Sequence, residues 1–277
     1  MSDDILKGKF ETGRGNLAKV LKWASAPFDE RYDQAYLNLQ SDTLNTIANA
    51  SNSMIAYDTF QEPFVDEVEL HDSVDESAGL EAIINVPTTE KYLDFVGGER
   101  VAVELYGAEG ERGCKRMVLD GDLTASFYLP SSKSDYESKA LQVVGRFNDD
   151  NEWINADGDV LSTSFRTHVD QFQKIIKAVS FENLALSAYP VVVQDGEFRL
   201  DATDDNDRDS ISGELWARNV EGPDVENYYT RGFEELFDNI GGEIQVMTEQ
   251  DSLITIVREN EDRNMTLRYS ILPAVTD

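Results

Sequence analysis

Two stretches of the chain share one spacing of apolar positions. In Arg14 to Ala26, "RGNLAKVLKWASA", the residues Leu17, Val20, Leu21 and Ala24 fall at i, i+3, i+4 and i+7. In His168 to Ser180, "HVDQFQKIIKAVS", Phe172, Ile175, Ile176 and Val179 repeat that spacing. It gathers four side chains on one face of a helix. Lys19 and Lys22 follow Leu17 by two and five positions, as Lys174 and Lys177 follow Phe172, so the lysines leave each helix away from its apolar stripe. Apolar spacing alone serves core packing in most helices. The repeated lysine offset is the less ordinary feature.

The likeness extends past the helices. Strand-like segments follow each: "QAYLNLQ" and "NTIANASNSMIAYDTF" in the first half, "NLALSAYPVVVQ", "GEFRLDAT" and "SISGELWA" in the second. A second helix is predicted in both, over Thr88–Gly98 and Thr230–Gly242, each closing on a Gly-Gly pair suited to a left-handed cap. Strands opening on Gly-Glu come next, and each half ends in a strand stopped by Leu-Pro, at Pro130 and Pro273. The pattern predicts two copies of a helix, strands, helix, strands unit, hence an α+β fold with antiparallel hairpins at turns such as "YGAEGERG" and "RENEDRN". The units span residues 1–130 and 160–277. Residues 131–159 form a polar connector with one apolar island at Leu141, Val143 and Val144.

Composition changes the picture in one respect. With 54 acidic and 24 basic residues, the net charge is −30. The acids are spread along the chain and 10% of residues are aromatic, which argues for a folded, acid-coated protein rather than disorder. Such a coat suits a cytoplasm of molar salt, where charges are screened beyond about 3 Å, and implies a halophilic source. A lone cysteine, Cys114, excludes an internal disulfide framework and reads as a small buried hydrophobe in a strand. No apolar run approaches the ~20 residues of a membrane span, and "MSDDILKGKF" does not read as a secretory leader. The expectation is a soluble cytoplasmic protein.

Catalytic chemistry finds little support. Among so many carboxylates, pairs at any spacing arise by chance. His71 and His168 form no cluster with the cysteine. "DDNDRDS" imitates a calcium loop but has Ser210 where the turn glycine belongs and Trp216 where the bidentate glutamate belongs. "GAEGERG" lacks the lysine and helix of a phosphate loop. No catalytic residue, metal ligand or cofactor is assigned.

The order of elements, with the helix "NLAKVLKWAS", the strands "AYLNLQSDTLNTIANASNSMIAYDTF", the segment "LEAIINVPTTEKYLDFV" and the closing "LRYSILPAV", resembles the archaeal and eukaryotic sliding clamp family, proliferating cell nuclear antigen. The likeness covers nearly the whole chain. It implies a homotrimeric ring, closed head to tail, that encircles duplex DNA without sequence preference. Such a ring is a polymerase processivity factor, loaded by a clamp loader and bound by other replication proteins. By this resemblance Arg14, Lys19, Lys22, Lys91, Lys174, Lys177 and Arg231 face the DNA. A partner's apolar-aromatic peptide docks at Met54, Ile55, Leu141, Val143, Val144, Leu272, Pro273 and Ala274. The strand bearing Ser126, Phe127 and Tyr128 pairs with that bearing Ile211, Ser212 and Leu215 of the next subunit.

The chain departs from the family pattern in a longer connector, in Leu-Pro for the usual Ala-Pro, and in acidic second helices carrying Glu90, Asp94, Glu234, Glu235 and Asp238. A haloarchaeal cell or one of its viruses is the implied source. Two other readings stand beside this one: a clamp-like polymerase accessory protein that does not encircle DNA, and a β-rich halovirus structural protein. The last leaves the repeated lysine offset unexplained.

Overall fold

The computed structural model describes residues 4–28, 34–50, 54–76, 78–111, 113–130, 145–155, 157–180, 188–203, 209–230, 232–260 and 264–274. The first half contains β1 (Ile5–Gly13), α1 (Arg14–Ala24), β2 (Gln34–Leu39), β3 (Leu44–Ala50), β4 (Met54–Phe60), β5 (Asp66–Leu70), β6 (Leu80–Asn85), α2 (Val86–Val96), β7 (Arg100–Gly107), β8 (Arg116–Asp120) and β9 (Thr124–Tyr128). The second half contains β10 (Thr163–His168), α3 (Val169–Val179), β11 (Tyr189–Gln194), β12 (Glu197–Thr203), β13 (Ser210–Glu214), β14 (Ala217–Glu221), β15 (Val225–Tyr229), α4 (Phe233–Asn239), β16 (Glu243–Thr248), β17 (Ile254–Glu259) and β18 (Met265–Ile271).

Each half thus opens on a strand, not on a helix as the pattern predicts. The positions of β1 and β10 that face the core are Gly8, Phe10 and Thr12, and Thr163, Phe165 and Thr167. One aromatic flanked by small or hydroxyl residues gives too weak an apolar alternation to announce a strand. Helix α1 stops at Ala24, one residue short of the end of "NLAKVLKWAS", and α2 starts at Val86, two residues early. Asn85 explains that start: its Oδ1 accepts the Thr88 N–H at 2.8 Å, and Pro87 lies in the first turn, where its missing N–H costs nothing. The expected left-handed caps do not form: Gly97 ends α2 at φ 65° and ψ −157°, positive in φ but outside the left-handed helical region, and α4 ends at Asn239 with an extended Ile240 as its cap, before the Gly241-Gly242 pair. Cys114 lies ahead of β8 rather than within a strand.

Among the described residues three antiparallel sheets result, ordered β5-β1-β7-β8-β9, β14-β10-β16-β17-β18-β4-β3-β2-β6 and β13-β12-β11-β15. The nine-stranded sheet takes strands from both halves. They join where β18 pairs with β4, from Met265 opposite Phe60 to Ile271 opposite Met54.

Alternation along these strands separates two faces. Met54, Ala56 and Phe60 of β4 and Leu267, Tyr269 and Ile271 of β18 enter one core with Leu17, Val20 and Leu21 of α1 and Phe172 and Ile175 of α3. Ile55 and Tyr57 point the other way, as do Tyr36, Ile47 and Ile83. The sheet therefore has an inner, helix-covered face and an apolar outer one.

Candidate nucleic-acid interface and partner surfaces

Helices α1 and α3 realise the predicted stripes. Leu17, Val20, Leu21 and Ala24 are buried in α1, and Phe172, Ile175, Ile176 and Ala178 in α3, with Val179 half-buried. Lys19, Lys22, Lys174 and Lys177 are exposed, as is Lys91 on α2. The Phe172 ring stacks on Phe237 at 4.2 Å and 4°, which fixes α3 against α4.

Several cations on other surfaces are held in ion pairs. Arg100 pairs with Glu11 and Asp66, Lys115 with Glu111, Arg199 with Glu197 and Asp201, and Arg218 with Glu243. Lys19, Lys22, Lys91 and Lys177 have no ion-pair partner among the described residues, although acids outnumber bases more than two to one. Arg14 lies 3.6 Å from Asp94. Lys174 donates to Gln171 Oε1 at 2.8 Å, and that oxygen also accepts the Trp216 N–H at 3.2 Å, which draws Lys174 toward the segment after β13. Arg231 lies outside the described residues.

Strand β9 is an outer strand of the five-stranded sheet and β13 of the four-stranded sheet. Each presents one unpaired row of backbone groups. Ser126 and Tyr128 are exposed on β9, Tyr128 at 81%, whereas Phe127 turns inward and stacks on Tyr92 at 4.4 Å. On β13 Ser212 is exposed and Ile211 half-buried. The strand ends at Glu214, earlier than predicted, because Leu215 turns inward and donates its N–H to the Phe198 carbonyl at 2.8 Å.

The residues expected to receive a partner peptide separate across the sheet. Met54 is buried on the inner face, against Gly232, whose φ of 73° and lack of a Cβ admit it. Ile55 faces outward and half-buried, Leu272 is exposed, and Pro273 and Ala274 are half-buried, Ala274 donating to the Tyr228 carbonyl at 2.7 Å. Leu141, Val143 and Val144 lie outside the described residues.

Sequence reasoning did not find what covers the outer face. Trp153 and Leu161, assigned to the connector and the start of the second unit, pack on Met247 and Val257, with Ile55, Phe147 and Leu253 around them. The aromatics Phe147 and Trp153, isolated in an acidic run, were the available signal.

Two further groups have settled roles. His168 is the residue before α3 and makes no side-chain cap bond, and its ring lies 5.5 Å from that of Trp216. Burial pushes the Cys114 thiol up to about 12, the setting of an inert thiol rather than a nucleophile. No grouping of three metal-ligating side chains occurs among the described residues, and none of their helices is long and apolar enough to cross a membrane.

No protein-family model and no curated protein matches the chain. Solved structures do. PCNA of A. fulgidus, solved with the C-terminal region of FEN-1 bound, superposes with a TM-score of 0.68 at 11% identity, covering 98% of this chain and 99% of that one. PCNA of Entamoeba histolytica gives 0.66 at 11% identity, over 98% and 100%. The PCNA2–PCNA3 complex of Sulfolobus tokodaii gives 0.61 at 13% identity, over 96% and 98%. Along nearly its whole length, the chain therefore has the α+β fold of the PCNA sliding clamps.

Proposed function

We propose that the chain is a sliding clamp, a non-enzymatic processivity factor whose three identical subunits encircle duplex DNA and tether a DNA polymerase and other replication proteins. The observation that carries this reading is the set of lysines on the exposed faces of α1, α2 and α3, without an ion-pair partner among the described residues, in a chain of net charge −30. A protein that repels DNA overall needs local cations where phosphates pass, and contacts to phosphate carry no sequence preference. Enclosure makes weak contacts sufficient.

In this reading the open edges of β9 and β13 close the ring as a heterologous head-to-tail contact. Residues 1–130 and 160–277 act as two clamp domains. Partner peptides dock on the outer face beside Ile55 and Leu272, and a clamp loader opens the ring. The acid coat supports the reading of a protein of the high-salt cytoplasm of a haloarchaeal cell, encoded by the cell or a virus.

The deciding experiment combines light scattering at about 2–3 M salt, where surface charge is screened, with retention on circular and linearised DNA. A trimer retained on circles and lost from free ends is the expected result. A monomer or dimer, or equal retention on both substrates, would refute encirclement.

A further inference from the structure

The described residues between Phe147 and Leu161 are built to lie on the outer face. Their turns are stabilised by their own asparagines: Asn148 Oδ1 accepts the N–H groups of Asp150 and Glu152 at 3.0 and 2.8 Å, and Asn155 Oδ1 those of Asp157 and Asp159 at 2.9 and 3.0 Å. Between these turns Trp153 enters the cluster of Met247 and Val257. Phe147 meets Trp153 edge-on at 5.3 Å and Tyr57 at 6.0 Å. Two aromatics from one short stretch thus rest on the sheet beside Ile55, as an apolar-aromatic peptide would.

The attachment point is a charge. Arg268 is 8% exposed, its Nε donates to Asn151 Oδ1 at 2.9 Å, and its guanidinium lies over the Tyr57 ring at 4.7 Å and near the Phe147 ring at 5.8 Å. Its other acceptors are the Tyr57 carbonyl and Thr59 Oγ1, and no carboxylate lies within ion-pair distance among the described residues. Asn151, at φ 63°, donates in turn to Glu259. A guanidinium removed from water with only neutral acceptors is held at a cost. Docking the segment gains apolar contact and desolvates Arg268, and lifting it reverses both, so the two terms oppose and the docked state is poised.

We infer that Phe147–Leu161 is an intramolecular ligand of the outer face, occupying the apolar floor next to Ile55 until a partner's apolar-aromatic peptide displaces it. The inference rests on the reading of that face as the partner surface. It makes the apparent affinity for such peptides smaller than the intrinsic one by the fraction of molecules with the segment lifted.

The probe is the C-terminal peptide of FEN-1 that the A. fulgidus structure holds, followed by fluorescence anisotropy against the parent, the Phe147→Ala/Trp153→Ala double variant and Asn151→Gly. Asn151→Gly removes the one acceptor that the segment offers Arg268 while tolerating the positive φ, and neither variant alters the floor. Both should bind the peptide more tightly, by roughly tenfold for the double variant. Hydrogen exchange in residues 147–161 of the parent should accelerate when peptide is added. Equal or weaker binding in both variants, with exchange unchanged, overturns the inference and leaves the partner surface standing. No binding to any of the three proteins overturns the partner-surface reading and the inference with it.

Discussion

Asp58 and Arg268 share a hydrogen bond but not an ion pair. The Arg268 backbone N–H donates to Asp58 Oδ1 at 3.2 Å across the β4–β18 seam, while the guanidinium leaves on the outer face, over Tyr57, and the carboxyl on the inner one. Thr46 Oγ1 supplies the carboxyl's other contact, at 3.4 Å. Burial outweighs these hydrogen bonds and the attraction of Arg268, so the Asp58 pKa is raised well above the usual carboxylate range.

The sign of the consequence follows from proton counts. Between the ordinary aspartate value and the raised one, the folded chain holds a proton that the unfolded chain has released, so stability falls as pH rises through that window. Asp58→Asn keeps the shape and removes the titration. It should stabilise the protein at neutral pH, on the order of 1–3 kcal/mol, and flatten the pH dependence of denaturant midpoints. Destabilisation at pH 7 would show that the ionised carboxylate is needed.

Replacing Lys19, Lys22, Lys174 and Lys177 together by glutamate separates a DNA-facing role from an ordinary solvated one. The buried stripes of Leu17 and Phe172 are untouched, and exposed charges are usually worth ~1 kcal/mol or less to stability, so folding and assembly should survive. Polymerase processivity should fall sharply, most at the lower end of the tolerated salt range. Full activity in a trimeric quadruple variant would remove these residues from the DNA path.

Ser126→Pro and Ser212→Pro each delete one N–H from an outer strand. Where that N–H points away from its own sheet, only the bond of the proposed subunit contact is lost. Sedimentation in molar salt should show a folded monomer for at least one variant. Trimers in both would mean that the ring closes through other edges, of which β5, β6, β14 and β15 are the available ones.

Cys114 should resist alkylation in the native protein. With its thiol pushed up to about 12, the folded protein carries far less thiolate at pH 8 than unfolded chains, in which about a quarter of the thiols are ionised. Its contribution to stability is complete below the unfolded value and declines as pH rises toward 12. Labelling at pH 8 should therefore track unfolding in a denaturant titration. Rapid labelling without denaturant would place the thiol at the surface.

The helices were legible because Leu17 to Ala24 and Phe172 to Val179 carry their period locally, and Gly97 and Gly98 end α2 at positive φ, which other residues avoid. Strands β1 and β10 were not, since threonine and glycine occupy core positions that only the neighbouring strands reveal. The lysine surface could be read from spacing alone. The outer face could not, because Arg268 and Asn151 lie 117 positions apart and nothing near either residue announces the other. Residues 131–159 read as one polar connector, and only the fold shows Trp153 buried in their latter part.

The ladder between β18 and β4 gives the molecule a property that a tether between two bodies would not. All seven residues of each strand pair there, so a polypeptide ending at Pro130 would leave Met54–Phe60 as a bare edge ready to template another strand. Its natural complement is the second half supplied in trans. Expressed as separate polypeptides, the two halves should reconstitute through this seam and co-purify as one particle, with chain continuity setting how fast they meet rather than whether they stay together.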